Sequence, residues 1–315
     1  MNRKSIIISL SGYKLTNEEK SIILNEKPWG IILFKRNIKN VDQVKFLTNQ
    51  IRKIINDPCY PVIIDEEGDR VSRISNLFFT KNFSQNYFAK LFKKNRHEGK
   101  LFYIRYLIFV SNFLNYLGIN VNTIPVLDIF NKSANKIIGN RSFSNDINTV
   151  NILGKVCIET LKKNKIGSVS KHIPGHGKSL VDTHNKKSTI NKNFNYLIKN
   201  DFKAFSNLKS HFAMTAHIIY KKIDPDYCAT HSSIIINKII RQRLLFKGIL
   251  ISDDISMKSL SGNLVYNAKK AISSGCNLVL YCSGKIEETK LLLRNIEKID
   301  NFTIKKTSEF YKFLR

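Results

Sequence analysis

Short apolar, β-branched runs recur along the chain at 6–10, 30–34, 62–65, 120–128, 167–172, 212–218, 248–253 and 278–282. Between them lie segments 41–55, 99–117, 148–163, 232–245 and 264–274, where apolar residues return every three or four positions, the period of a helix with one buried face. Strand period alternating with helix period is the signature of βαβ units, because parallel strands need a long crossover between them. Eight such units in 315 residues predict an α/β fold, a single-domain TIM (β/α)8-type barrel over residues 1–315, rather than an open doubly wound sheet. Residues 78–96 are polar and aromatic without a clean period and predict a loop with a short helix. The tail after Phe302 predicts a last helix packed on the barrel.

Composition narrows the class. A hydrophobic fraction of 43% with 10% aromatics is that of a folded domain and excludes a disordered chain. No stretch approaches the roughly 18 apolar residues of a membrane span, so none is expected. Arg3 and Lys4 precede Ile6-Ile7-Ile8, a run too short for a signal peptide and better read as a first strand. Five scattered cysteines without a CxxC pair fit a reducing compartment, and a cytoplasmic location is expected. The net charge of +28 raises the question of an anionic partner. The lysines, however, occur singly or in pairs, and the longest clusters, Lys93-Lys94-Asn95-Arg96 and Lys162-Lys163-Asn164-Lys165, are short. They read as solvated surface, and no nucleic-acid partner is expected.

In a barrel of this kind the chemistry sits at the C-terminal ends of the strands. Polar clusters follow the apolar runs there: Asp65-Glu66-Glu67-Gly68-Asp69-Arg70 and Arg73, then Asp128 and Asn140-Arg141-Ser142. Lys171-His172-Ile173-Pro174-Gly175-His176-Gly177 follows with Asp182 and His184, then Thr215-Ala216-His217, then Ser252-Asp253-Asp254. Any single one has a bland reading: an Asp as helix cap, an Asp-Glu-Glu run as wet loop, an Arg as surface ion pair. Recurrence at one end of successive strands points to a site. Four histidines, His172, His176, His184 and His217, raise a metal site, but Pro174 and Gly175 unfit the first two for one helix face, and no metal is expected.

In order, the strings GIILFKRN (30–37), PVIIDEEGDRVSRI (61–74), PVLDI (125–129), IGNRSF (138–143), KHIPGHG (171–177), DTH (182–184), FAMTAHIIY (212–220) and GILISDDISMK (248–258) resemble family 3 of the glycoside hydrolases. The resemblance is to its bacterial β-N-acetylglucosaminidase branch, which acts in peptidoglycan recycling, and it covers most of residues 30–285. It implies a TIM barrel, Asp253 as nucleophile, and His184 as general acid/base oriented by Asp182. It implies that Asp65, Arg73, Arg141, Lys171 and His172 bind the sugar. The chain departs from the family pattern at Glu66, usually Gln, at Asp69, usually Gly, and at Asn140, usually acidic.

Retaining hydrolysis needs a carboxylate to attack the anomeric carbon and an acid to protonate the leaving oxygen. An imidazole, with a free pKa of about 6.5, serves both as that acid and as the later base. The expected substrate is a small carbohydrate, N-acetylglucosamine-containing muropeptides, with no cofactor and with a monomer as the working unit. Two alternatives stay open: a phosphorylase or other β-glycosidase on the same scaffold, and a degenerate carbohydrate- or polyanion-binding protein.

Overall fold

The computed structural model describes residues 1–131, 138–177 and 188–315. Each of the eight apolar runs supplies a barrel strand: β1 (Lys4–Ser9), β2 (Pro28–Leu33), β3 (Val62–Ile64), β4 (Val121–Asn122), β5 (Gly167–Ile173), β7 (Phe212–Thr215), β9 (Ile249–Asp254) and β10 (Leu278–Tyr281). They close in the order β1-β10-β9-β7-β5-β4-β3-β2, and every neighbouring pair is parallel. Two further strands, β6 (Ser188–Ile190) and β8 (Ile218–Tyr220), pair only with each other.

Two runs are divided or shortened relative to expectation. Run 212–218 ends in the barrel at Thr215, and Ile218 begins β8. Run 120–128 keeps only two residues in the ladder, since Pro125 has no N–H to donate and Val126 returns only as a single bridge to Lys171.

The helices fall where the apolar spacing places them: α2 (Val41–Ile55), α4 (Arg96–Tyr116), α5 (Ile147–Lys163), α7 (Leu264–Ser274) and the terminal α9 (Asn301–Leu314). The aromatic stretch before α4 contains α3 (Gln85–Lys94). The predicted helix at 232–245 is a π-helix over Ile234–Arg243 that buries Ile235, Ile236, Ile239 and Ile240. Asparagines and aspartates at the starts, such as Asn40, Asp146, Asn263 and Asp300, cap the first free N–H groups.

Alternation along the strands divides the core. Ile7, Ile63, Val121, Val169, Phe212, Met214, Ile249, Ile251, Leu278 and Leu280 fill the barrel, while Ile6, Ile8, Val62, Ile64, Ala213, Leu250 and Val279 face the helices. Helix α9 closes the N-terminal end: the Trp29 indole N–H donates to Thr307 Oγ1 at 2.9 Å, and Phe212 lies edge-on to Trp29 and Phe310. With that end sealed, the C-terminal end is the open mouth.

Candidate active site

The inward series of each strand continues past its apolar layers into polar residues, and this positions the site. Two residues beyond Ile63 is Asp65, beyond Val121 is Thr123, beyond Val169 is Lys171, beyond Ile251 is Asp253 and beyond Leu280 is Cys282. The same two-residue step that packs the barrel therefore lifts these side chains into its mouth. All of these but Thr123 line a pocket of about 220 Å³ together with Phe34, Glu67, Arg73, Arg141, His172, His176 and Asp254, over a floor that includes Met214 and Leu280.

The three cations of the pocket are paired. Lys171 spends its three donors on Glu67 Oε1 (2.6 Å), Thr123 Oγ1 (2.8 Å) and Asp65 Oδ1 (3.3 Å). Thr123 in turn donates to Asp65, and Arg73 reaches Asp65 Oδ2 at 3.2 Å while lying over the Phe34 ring. Arg141 grips Glu67 with two donors, Nε at 2.7 Å and a terminal nitrogen at 2.9 Å. Burial works against the Glu67 charge, but Arg141 and Lys171 outweigh it and hold the carboxyl at about 2. Asp65 is also held below the usual carboxylate range, by Lys171 and Arg73 against its burial.

Asp128, fully buried at the end of the β4 segment, organises the next loop. Its carboxylate accepts the His172 ring N–H at Nδ1 (2.6 Å) and the backbone N–H groups of His172 (3.2 Å) and His176 (2.7 Å). With Nδ1 held by Asp128, the His172 ring is fixed in the lining of the pocket. Burial keeps His176 neutral by lowering it to about 4.

On β9, Asp253 accepts the backbone N–H of Asp254 at 2.8 Å. Asp254 is pushed up by burial, with the neighbouring Asp253 charge adding to the shift, and it bonds Ser256 and the Cys282 N–H. His217, weighed from the sequence as a metal ligand, instead donates through Nε2 to the Asp254 carbonyl at 3.0 Å and bonds Thr230 through Nδ1. It supports the turn that carries Asp253.

The structure thus gathers Asp253, Asp65, Arg73, Arg141, Lys171 and His172 around one pocket. Asp182 and His184 lie outside the described residues. Glu67 and Asp128 were present in the sequence clusters without an assigned role. The Asp-Glu-Glu run that resembled wet loop is buried, Glu66 and Glu67 being 2% and 5% exposed.

The glycosyl hydrolase family 3 N-terminal domain matches residues 4–308. A beta-hexosaminidase of Psychromonas ingrahamii is 31% identical over 316 residues, covering 98% of this chain and 89% of its own. One of Hydrogenovibrio crunogenus is 30% identical over 296 residues, covering 91% and 81%. The crystal structure of NagZ from Neisseria gonorrhoeae in complex with N-trifluoroacetyl-D-glucosamine superimposes with a TM-score of 0.88 at 27% identity, covering 100% of this chain and 90% of that one. The chain belongs to family 3 of the glycosyl hydrolases, among its β-hexosaminidases.

Proposed function

We propose that this protein is a retaining β-N-acetylhexosaminidase that releases terminal β-linked N-acetylglucosamine from peptidoglycan fragments. The observation that carries the reading is Asp253 in the lining of a pocket whose cations, Arg73, Arg141 and Lys171, pair with Asp65 and Glu67. Such a lining suits a neutral, hydroxyl-rich ring. Arg73, Arg141, Lys171 and His172 offer donors and an acceptor to hydroxyls and an acetamide carbonyl, and Asp65 accepts from hydroxyls. A polyanion would meet cations already spent on Glu67 and Asp65.

In the first step a carboxylate oxygen of Asp253 bonds to the anomeric carbon as the glycosidic bond breaks, and the leaving oxygen takes a proton from His184. The role proposed for Asp182 is to favour the His184 tautomer this needs. In the second step His184 takes a proton from water, the resulting oxygen attacks the anomeric carbon, and Asp253 leaves as carboxylate. The described residues include no helix long and apolar enough to cross a membrane.

The test is release of p-nitrophenol from its β-N-acetylglucosaminide by the purified chain, beside the β-glucoside and the Asp253→Ala variant. Turnover that prefers the acetamido sugar and falls by about 10⁴ in the variant supports the reading. N-acetylglucosamine 1-phosphate in place of free N-acetylglucosamine as the product in phosphate buffer would assign phosphorolysis instead, and no turnover of either sugar would reject the enzyme.

A further inference from the structure

Glu66 lies between two pocket residues, Asp65 and Glu67, yet its own side chain does not line the pocket. It is held by β4: its N–H donates to Asn122 Oδ1 at 3.0 Å, and its carbonyl accepts from Asn122 Nδ2 at 2.9 Å. The chain then reverses through Gly68 (φ +84°) and Asp69 (φ +51°), and the Glu67 N–H donates to the Val71 carbonyl at 2.9 Å. The returning strand of the loop ends on Glu66. One carboxylate oxygen, Oε2, accepts from Ser72 Oγ (2.9 Å), the Arg73 N–H (2.9 Å) and the Ile74 N–H (3.3 Å).

Resting on the functional reading above, we propose that Glu66 is a positioning residue: its carboxylate fixes the backbone of Arg73, and with it the stand of the Arg73 guanidinium over Asp65, so that substrate affinity follows the acceptor at position 66. The resemblance gives this position to Gln, whose carbonyl accepts the same donors without charge. In this chain the acceptor titrates. Burial pushes the Glu66 carboxyl up to about 7, against Ser72 and the Ile74 and Arg73 amides. The groups facing it are Ser72 and Arg73 from its own loop, Tyr106 from α4 and Asn122 from β4, with Asp65 and Glu67 on either side. Ionised, Oε2 makes three charge-assisted bonds; protonated, it is an acceptor no stronger than Gln. Affinity therefore strengthens as the pH rises through neutrality.

The experiment measures KM and kcat for the p-nitrophenyl β-N-acetylglucosaminide from pH 5.5 to 8.5 with the full chain, Glu66→Gln and Glu66→Ala. Glu66→Ala is expected to raise KM about tenfold with kcat within about threefold, since it removes ground-state positioning and not the attacking group. Glu66→Gln is expected to restore KM to within about threefold and to abolish the change of KM with pH. Wild-type KM in Glu66→Ala, or the same pH dependence of KM in wild type and Glu66→Gln, would overturn the proposal. Amide exchange supplies a readout independent of turnover, and of whether Glu66→Ala folds. Corrected for intrinsic rates, protection at Arg73 and Ile74 is expected to change between pH 6 and 8 in wild type and to stay flat in Glu66→Gln; identical profiles would also overturn the proposal. A wild type that does not turn over the substrate rejects the functional reading alone.

Discussion

Asn140 donates its side-chain amide to the carboxylate of Asp69 across 71 residues of chain, and these are two of the positions at which the sequence departs from its family pattern. Asp69 stands at φ +51°, the left-handed conformation that favours a Gly there, and a second oxygen accepts the Asn82 N–H at 3.2 Å. A Gly and an acid at these positions would leave one carboxylate at this rim. The Asp and Asn found here also leave one, now on the opposite loop.

The pair makes a prediction with a sign. Asn140→Asp sets two carboxylates against each other and should destabilise the fold by about 1 kcal/mol. Asp69→Gly added to it should recover most of that loss, a coupling of at least about 0.5 kcal/mol in a urea-unfolding cycle. Additive effects would show that the contact carries no energy.

Glu67 is the counter-charge for both Lys171 and Arg141, so Glu67→Gln leaves two buried cations short of a partner. A loss of about 3 kcal/mol and a fall of kcat/KM by about 10² are expected. The folded-state carboxyl sits at about 2, below the unfolded value, so its stabilisation is present above a pH of about 4.5 and is lost as the pH falls toward 2. Melting temperatures of wild type and variant should therefore converge on acidification below about pH 4.

Asp128 sets the tautomer of His172 and pins the backbone at His172 and His176. Asp128→Asn keeps the shape but offers an amide where a ring N–H must be accepted, and should lower kcat/KM by about 10- to 100-fold. An unchanged near-ultraviolet circular dichroism spectrum would place the loss in the site; full activity would show that the His172 orientation does not matter.

Glu66 carries the opposite pH signature. Its folded carboxyl, at about 7, is raised above the unfolded value, so its contribution is fully present below a pH of about 4.5 and is lost as the pH rises through about 7. Glu66→Gln should match wild type in stability near pH 5 and exceed it near pH 8, by up to about 3 kcal/mol. Parallel stability curves from pH 5 to 8 would contradict this.

What the sequence determined by itself is whatever follows from local period. Short β-branched runs mark strands, so the runs around Ile63, Val169 and Ile251 announced both the barrel and the strand ends that carry Asp65, Lys171 and Asp253. Residues three and four apart share a face of a helix, so α2 and α7 were legible to the residue. The motifs, read in order, then named the family. What only the tertiary structure decided depends on partners that no local period reports. Glu67 is a buried counter-ion and not a wet loop residue because Arg141 arrives from 74 positions away and Lys171 from another strand. β4 is two residues long and β8 leaves the barrel because ladder pairing depends on neighbouring strands, not on a run's own hydrophobicity. The contact of Asp69 with Asn140 belongs to the same class: each was an isolated oddity in the chain, and the fold made them a pair because charge and hydrogen bonding act through space while the chain orders residues in a line.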